Sequence, residues 1–207
     1  MIILFPHILK TGGTSLLNSL KDAYGDRLLL DYQHNGYTNS LKLKLDTVIS
    51  NFKKRKIIDN YDFIYGHFDP RVYDRFNLPR ALFFRSPHER AVSHYYYLKK
   101  RNKLSDEVSI TEFINRPRVQ NLYSFYSYNF PVEELVYVGI TERYSESIRL
   151  FNAIFGTKLI ENKDRVNESR PDSNLEIKIP QSDNQDIYNK ALQRFEYLLK
   201  ENGINSA

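Results

Sequence analysis

Short, almost continuous apolar runs, separated by segments of helical periodicity, are the feature that most constrains this fold. Four runs predict buried strands, and they are Ile2–Phe5, Phe63–Tyr65, Ala81–Phe84 and Leu135–Ile140; Leu28–Leu30 is a less marked fifth. Strands of a parallel sheet that is covered on both faces have this composition, whereas strands with one solvated face alternate. The sequence therefore predicts an α/β fold with a doubly wound, mainly parallel sheet and helices on both faces.

The segments between the runs carry apolar residues at helical spacing. The predicted helices are Thr14–Tyr24, Leu41–Lys56, Pro87–Lys100, Glu142–Phe155 and Gln185–Lys200. Two stretches fall outside the alternation: Ser105–Tyr128 predicts short helices, and the polar segment 158–183 predicts a long loop. The chain has 207 residues, of which 41% are hydrophobic, so we expect one domain that spans residues 1–207.

Composition narrows the classes of function. The chain contains no cysteine, which excludes disulfides and thiolate chemistry, and we expect no metal site. Its formal charge of +5 suits an anionic ligand, but no nucleic-acid-binding module is recognisable. The apolar run after Met1 is too short for a signal peptide, and no run approaches the roughly 18 residues of a membrane span. We expect a soluble cytoplasmic protein, or a catalytic domain cut free of an anchor.

The loop after the first predicted strand has the composition of a phosphate site. It reads KTGGTS, Lys10–Ser15, and a predicted helix follows it directly. Helix N-termini bind anions, the two glycines allow close backbone approach, and the hydroxyls and the lysine add donors. The nucleotide P-loop places its lysine after the glycines, whereas Lys10 precedes them. Taken alone, the loop is also compatible with an ordinary glycine turn and a Ser/Thr cap.

A second loop follows the predicted strand Ala81–Phe84. It reads RSPHERAVSHYYY and begins with Arg85 at the carboxyl end of that strand. Ser86 at the N-cap, proline at the first helical position and Glu89 three residues after the cap predict a capping box. Arg90, Ser93 and Tyr97 would share one face of the helix. Alternatively, Arg85 is an ordinary surface arginine and Ser93 an ordinary helical serine.

Together the two loops resemble the sulfotransferases that use 3′-phosphoadenosine 5′-phosphosulfate (PAPS). HILKTGGTSL resembles their HxPKTGGTS loop, although Leu9 stands where that family usually has proline, and RSPHERAVSHYYY resembles their RxPxxRxxSxYxY element. The order of the two elements and their separation of about 70 residues also agree with that family. YGHF, Tyr65–Phe68, and VGITERYSESIRLF, Val138–Phe151, resemble segments of the carbohydrate branch that includes the heparan sulfate 2-O and 6-O enzymes.

The resemblance implies a role for particular residues. The residues that would hold the 5′-phosphosulfate are Lys10, Thr11, Gly12, Gly13, Thr14 and Ser15. Lys10 would also stabilise the departing phosphate. Arg85 and Ser93 would bind the 3′-phosphate, and Arg170 in the polar loop is a further candidate for it. His67 would be the base that takes the acceptor proton, with Asp69 as the alternative base.

The sequence thus predicts an enzyme that moves a sulfuryl group from PAPS to an acceptor hydroxyl, most readily that of a carbohydrate. A nucleotide-dependent kinase is the alternative enzyme, because kinases share the strand–loop–helix phosphate site. The missing GK[ST] and the pair Arg85 and Ser93 count against a kinase. An inactive nucleotide- or glycan-binding module is the non-enzymatic alternative, and the presence of Lys10 and His67 counts against it.

Overall fold

The computed structural model describes residues 1–32, 58–128, 130–161 and 183–205. Five strands lie in these ranges, and they are β1 Ile3–Pro6, β2 Leu28–Leu30, β3 Phe63–Gly66, β4 Ala81–Phe84 and β5 Tyr137–Ile140. Each strand pairs with its neighbour in parallel orientation. The predicted α/β class is therefore confirmed, and the strand bounds differ from the predicted ones by at most two residues.

The strands follow the order β2-β3-β1-β4-β5. β3 pairs with both β1 and β2, β4 pairs with β5, and the two groups meet where a parallel bridge joins Leu4 to Arg80. Since β1 has β3 on one side and β4 on the other, the chain changes direction across the sheet at β1. Open α/β sheets bind ligands at the carboxyl ends of strands beside such a switch point.

The helices occupy the predicted places. In chain order they are α1 Gly13–Tyr24, α2 Pro87–Lys100, α3 Ile110–Ile114, α4 Pro117–Gln120, α5 Leu122–Tyr126, α6 Tyr144–Phe155 and α7 Asp183–Glu201. Helix α2 has the predicted bounds. Helix α6 begins two residues later than predicted because Thr141–Arg143 forms a 3-10 turn. The predicted helix Leu41–Lys56 lies outside the described residues.

Alternate residues of the inner strands face two different cores. In β1, Ile3 and Phe5 join a core that includes side chains of α1, α6 and α7, whereas Leu4 joins a second core on the opposite face. In β3, Tyr65 faces the first core and Ile64 the second. Continuous apolar runs are explained by this double burial, which leaves no solvated face on the central strands.

The predicted capping box of α2 is wrong. Ser86 is the N-cap residue and Pro87 follows it as predicted, but the Ser86 side chain makes no capping hydrogen bond. In a capping box the glutamate three residues on accepts from the N-cap amide. Here the Ser86 amide donates to the Glu142 carboxylate (2.8 Å), and Glu89 instead faces the Arg85 guanidinium (3.5 Å).

Within residues 1–32, 58–128, 130–161 and 183–205, no helix combines the length and the apolar character that crossing a membrane requires. Among the same residues, no group of three or more histidine and carboxylate side chains is arranged to hold a metal ion.

Candidate functional site

The carboxyl ends of four strands converge on one edge of the sheet. The KTGGTS loop follows β1, His67 follows β3, Arg85 follows β4 and Thr141 follows β5. The Thr141 hydroxyl lies within hydrogen-bonding distance of the carbonyl oxygens of Thr11 (3.0 Å) and Phe84 (2.9 Å). This contact ties the end of β5 to the first loop and to the end of β4, so the loops form one surface.

The backbone of the first loop turns sharply into a helix N-terminus. Lys10 (φ 70°) and Gly12 (φ 84°) have left-handed conformations, and α1 begins directly after Gly12. The first amides of a helix have no intrahelical acceptor, so they are available to a ligand. The Thr11 side chain is buried and donates to the Ile8 carbonyl (2.9 Å), so it stabilises the loop itself. The Thr14 side chain is exposed at the helix start, and that of Ser15 is half-buried.

Gly13 is required by the ring beneath it. A Cβ atom on Gly13 would lie 1.7 Å from Nε2 of His7, a contact that real side chains do not make. The Tyr65 hydroxyl donates to the Gly13 carbonyl from the same side (2.9 Å). From the sequence, Gly13 is expected to allow close approach of the ligand. The structure adds that the loop packs on His7 and Tyr65.

Lys10 connects the first loop to helix α2. Its ammonium nitrogen lies 4.5 Å from the centroid of the Tyr97 ring, within the range of a cation–π contact. The Arg85 guanidinium donates to the Lys10 carbonyl (3.5 Å) and faces Glu89 at the same distance. Arg85, the first residue of the second predicted phosphate element, therefore contacts the first element directly.

Two side chains of helix α2, those of Arg90 and Ser93, point into the protein interior. Ser93 is buried, and so is Arg90, which donates to the Val119 carbonyl (2.6 Å) and leaves Nε and Nη1 without a hydrogen-bond partner. Burial, followed by the charges of Arg90 and Lys10, lowers the pKa of His94 to about 4. The positive charges of Lys10 and Arg90 therefore both act on His94 in this helix.

His67 has the protonation geometry of a base. Its Nδ1 lies 2.7 Å from the carbonyl oxygen of His7. A carbonyl can only accept, so Nδ1 carries the proton and, in the neutral ring, Nε2 carries the lone pair. The His67 ring stacks on the His7 ring with centroids 4.2 Å apart, and the Tyr32 ring meets it edge-on at 5.3 Å. These contacts fix the orientation of the imidazole.

His7 supports this arrangement and stays neutral. Both of its ring nitrogens are buried and have no hydrogen-bond partner. Burial, and then the charges of His67 and Lys10, hold the pKa of His7 well below its usual value. A neutral His7 avoids a second positive charge against the imidazole on which it stacks.

Asp69, the alternative base, is already bonded to Arg71. It caps the 3-10 helix Pro70–Phe76 by accepting from the Arg71 amide (3.0 Å). Its carboxylate also accepts from the Arg71 guanidinium, with a shortest distance of 2.6 Å. A carboxylate that is paired in this way is a poor proton acceptor, because proton uptake would break the ion pair.

Three residues that hold the site together were not predicted from the sequence. Thr141, after β5, contacts the carbonyl oxygens of Thr11 and Phe84. Glu142 accepts from the Ser86 amide, and the Tyr123 hydroxyl forms hydrogen bonds with the backbone of Arg85. The only signal in the sequence was their position directly after a strand or in a short helix. Arg170, the remaining predicted residue, lies outside the described residues.

Comparison with known proteins gives a likeness among solved structures. No family model matches the sequence, and no curated protein matches it. Among solved structures, a sulfotransferase from Alicyclobacillus acidocaldarius is similar to this chain with a TM-score of 0.46 and 15% sequence identity. The match covers 99% of this chain and 96% of that one.

Proposed function

We propose that this protein is a PAPS-dependent sulfotransferase that acts on the hydroxyl group of a carbohydrate. The single observation that supports this most is the position of Arg85. It links the anion-binding loop after β1 to helix α2, with Nη1 3.5 Å from the Lys10 carbonyl. A ligand with phosphate groups on both the 3′ and the 5′ oxygens of its ribose would meet one element with each phosphate. The likeness of both loops to the motifs of that family supports the same ligand.

Sulfuryl transfer suits the groups that are present. The bond from sulfur to the bridging oxygen of the 5′-phosphate breaks, and the electron pair stays with the phosphate. A new bond forms between sulfur and the acceptor oxygen, while the acceptor proton moves to Nε2 of His67. Lys10 and the first amides of α1 would stabilise the charge that develops on the phosphate, as positioned donors do in phosphoryl transfer.

The two alternatives differ from this proposal in the ligand or in the chemistry. A kinase would need donors arranged for a triphosphate, and the lysine of the P-loop pattern is missing after the glycines. An inactive binding module would have no need of the oriented imidazole of His67. Both alternatives lead to different results in the measurements that follow.

Adenosine 3′,5′-bisphosphate should stabilise the protein more than ATP with Mg²⁺ at the same concentration. The reason is that the bisphosphate would engage both elements, whereas ATP has no 3′-phosphate. At 100 times its Kd a ligand raises the free energy of unfolding by about 2.7 kcal/mol. A thermal-shift series with matched ligand concentrations measures the difference. A larger shift with ATP and Mg²⁺ would favour the kinase instead.

Arg85→Ala should weaken binding of the bisphosphate by about ten- to a hundredfold and leave binding of 5′-AMP almost unchanged. Charge-assisted hydrogen bonds contribute roughly 1.5–3 kcal/mol each, and only the bisphosphate carries the 3′-phosphate. Calorimetric titration of both ligands measures this. Arg116→Ala is the control, because Arg116 is also paired with a glutamate four residues away but lies between α3 and α4. Equal losses for both ligands would assign Arg85 to the fold rather than to the 3′-phosphate.

A further inference from the structure

A cluster of exposed aromatic rings and one ion pair includes Asp69, which follows His67 by two residues in the chain. We call it the Arg71 surface, and it consists of Asp69, Arg71, Phe125 and Tyr128. The Arg71 guanidinium carbon lies 5.2 Å from the Phe125 ring centroid and 5.7 Å from that of Tyr128. Asp69 holds the guanidinium through Nε (2.8 Å) and Nη2 (2.6 Å). Four planar groups therefore have fixed relative positions.

The Arg71 surface borders the edge of the sheet that carries the candidate site. Asp69 follows His67 by two residues, and its backbone is extended (φ −76°, ψ 113°). Two residues of chain span at most about 7 Å, a distance comparable to one sugar ring. Phe125 belongs to α5, which the Tyr123 hydroxyl ties to the backbone of Arg85. Asp69 and Arg71 thus follow the end of β3, and the helix that carries Phe125 is bonded to the end of β4.

Stability alone does not account for these exposed rings. Phe125 is 37% exposed and Tyr128 is 50% exposed, and Phe125 is the one exposed phenylalanine among those that the structure describes. Burying such a side chain would stabilise the fold more than the exposed ion pair and the cation–π contacts do. Rings that are left open in a rigid setting are suited to a ligand.

The chemistry of the surface selects an uncharged sugar. The aromatic faces can pack on the C–H face of a pyranose ring, while the guanidinium offers donors and the carboxylate offers acceptors to its hydroxyls. The charges of Asp69 and Arg71 cancel within the ion pair, so the surface gives no net attraction to a polyanion. Its open form fits a sugar in an extended chain better than a small phenol, which needs an enclosing pocket.

We infer that the Arg71 surface binds an uncharged sugar residue of the acceptor, next to the sugar whose hydroxyl faces His67. This rests on the proposed function in that the acceptor is a carbohydrate. It adds that the acceptor is a neutral glycan rather than a uronate-bearing one, and that recognition extends beyond the reacting sugar.

The experiment measures saccharide binding to the full chain in the presence of adenosine 3′,5′-bisphosphate. The probes are chitohexaose, cellohexaose and maltohexaose, together with a uronate-bearing hexasaccharide of the same length, and the readout is saturation-transfer NMR followed by calorimetric titration. At least one uncharged hexasaccharide should bind more tightly than the charged one. The double variant Phe125→Ala, Tyr128→Ala should weaken that binding by tenfold or more.

Tyr197→Ala is the matched control. Tyr197 is also exposed (52%) and also has an arginine, Arg194, over its ring at 5.1 Å, but it lies on α7. Its replacement should leave saccharide affinity at the wild-type value. The inference is overturned if no uncharged hexasaccharide binds, if the uronate probe binds more tightly, or if the double variant keeps its affinity. Bisphosphate binding is measured separately, so a failure of the proposed nucleotide would be visible on its own.

Discussion

Replacing His67 by alanine should lower kcat by about 10²–10⁴, the usual contribution of a general base. The Nδ1 proton is fixed by the His7 carbonyl at 2.7 Å, so the neutral ring presents the lone pair of Nε2 to the acceptor. Affinity for the bisphosphate should change little, because the imidazole acts on the acceptor and not on the nucleotide. Turnover is followed as bisphosphate release with whichever saccharide proves to be the acceptor.

The pH profile tests the role of His67 more sharply than the rate does. Protonation fills the lone pair of Nε2, so the wild-type rate should fall as the pH is lowered through the titration of His67. That acidic limb should be absent in both His67→Ala and His67→Asn, the second of which can still donate to the His7 carbonyl. Asp69→Asn should keep the limb. If His67→Ala retains most of its turnover with an unchanged profile, the base is another residue.

Gly66→Ala should lower the free energy of unfolding by at least about 3 kcal/mol. A Cβ atom at this position would lie 1.9 Å from the carbonyl oxygen of Asp31, a backbone atom that cannot rotate away. Asp31 is itself held by the hydrogen bond from its amide to the Tyr65 carbonyl (2.9 Å) and by the Tyr73 hydroxyl on its carboxylate (2.8 Å). The conformation of Gly66 (φ 155°) adds to the cost.

Gly156→Ala separates the clash from the backbone conformation. Gly156 also has positive φ (64°), but a Cβ atom there would meet nothing within 4 Å. Its replacement should cost only the conformational penalty of about 1–2 kcal/mol. Urea unfolding of the wild type and both variants measures the two free energies. Equal losses would mean that the contact with Asp31 can relax, and that the glycine before His67 is not required by packing.

The strands and the main helices were predictable because their signals are local. A continuous apolar run such as that of β4 reports burial on both faces, and Pro87 marks the start of α2 from its own ring geometry. The residue types of the KTGGTS loop predict an anion site from signals that are equally local, since glycine conformations and helix amides are properties of neighbouring residues, and this site stays a prediction. The capping box failed even though its motif was present, because a residue 56 positions away took the amide of Ser86.

The class of fold, the bounds of α2 and the types of residue at the end of each strand follow from the sequence. Which of those residues lie close together follows only from the tertiary structure. It set the order β2-β3-β1-β4-β5, placed the His7 carbonyl against His67 across 60 positions, and joined Thr141 to Thr11 across 130. The physical reason is that helix and strand formation depend on neighbouring side chains. A hydrogen bond between distant residues depends instead on where the whole sheet brings their backbones.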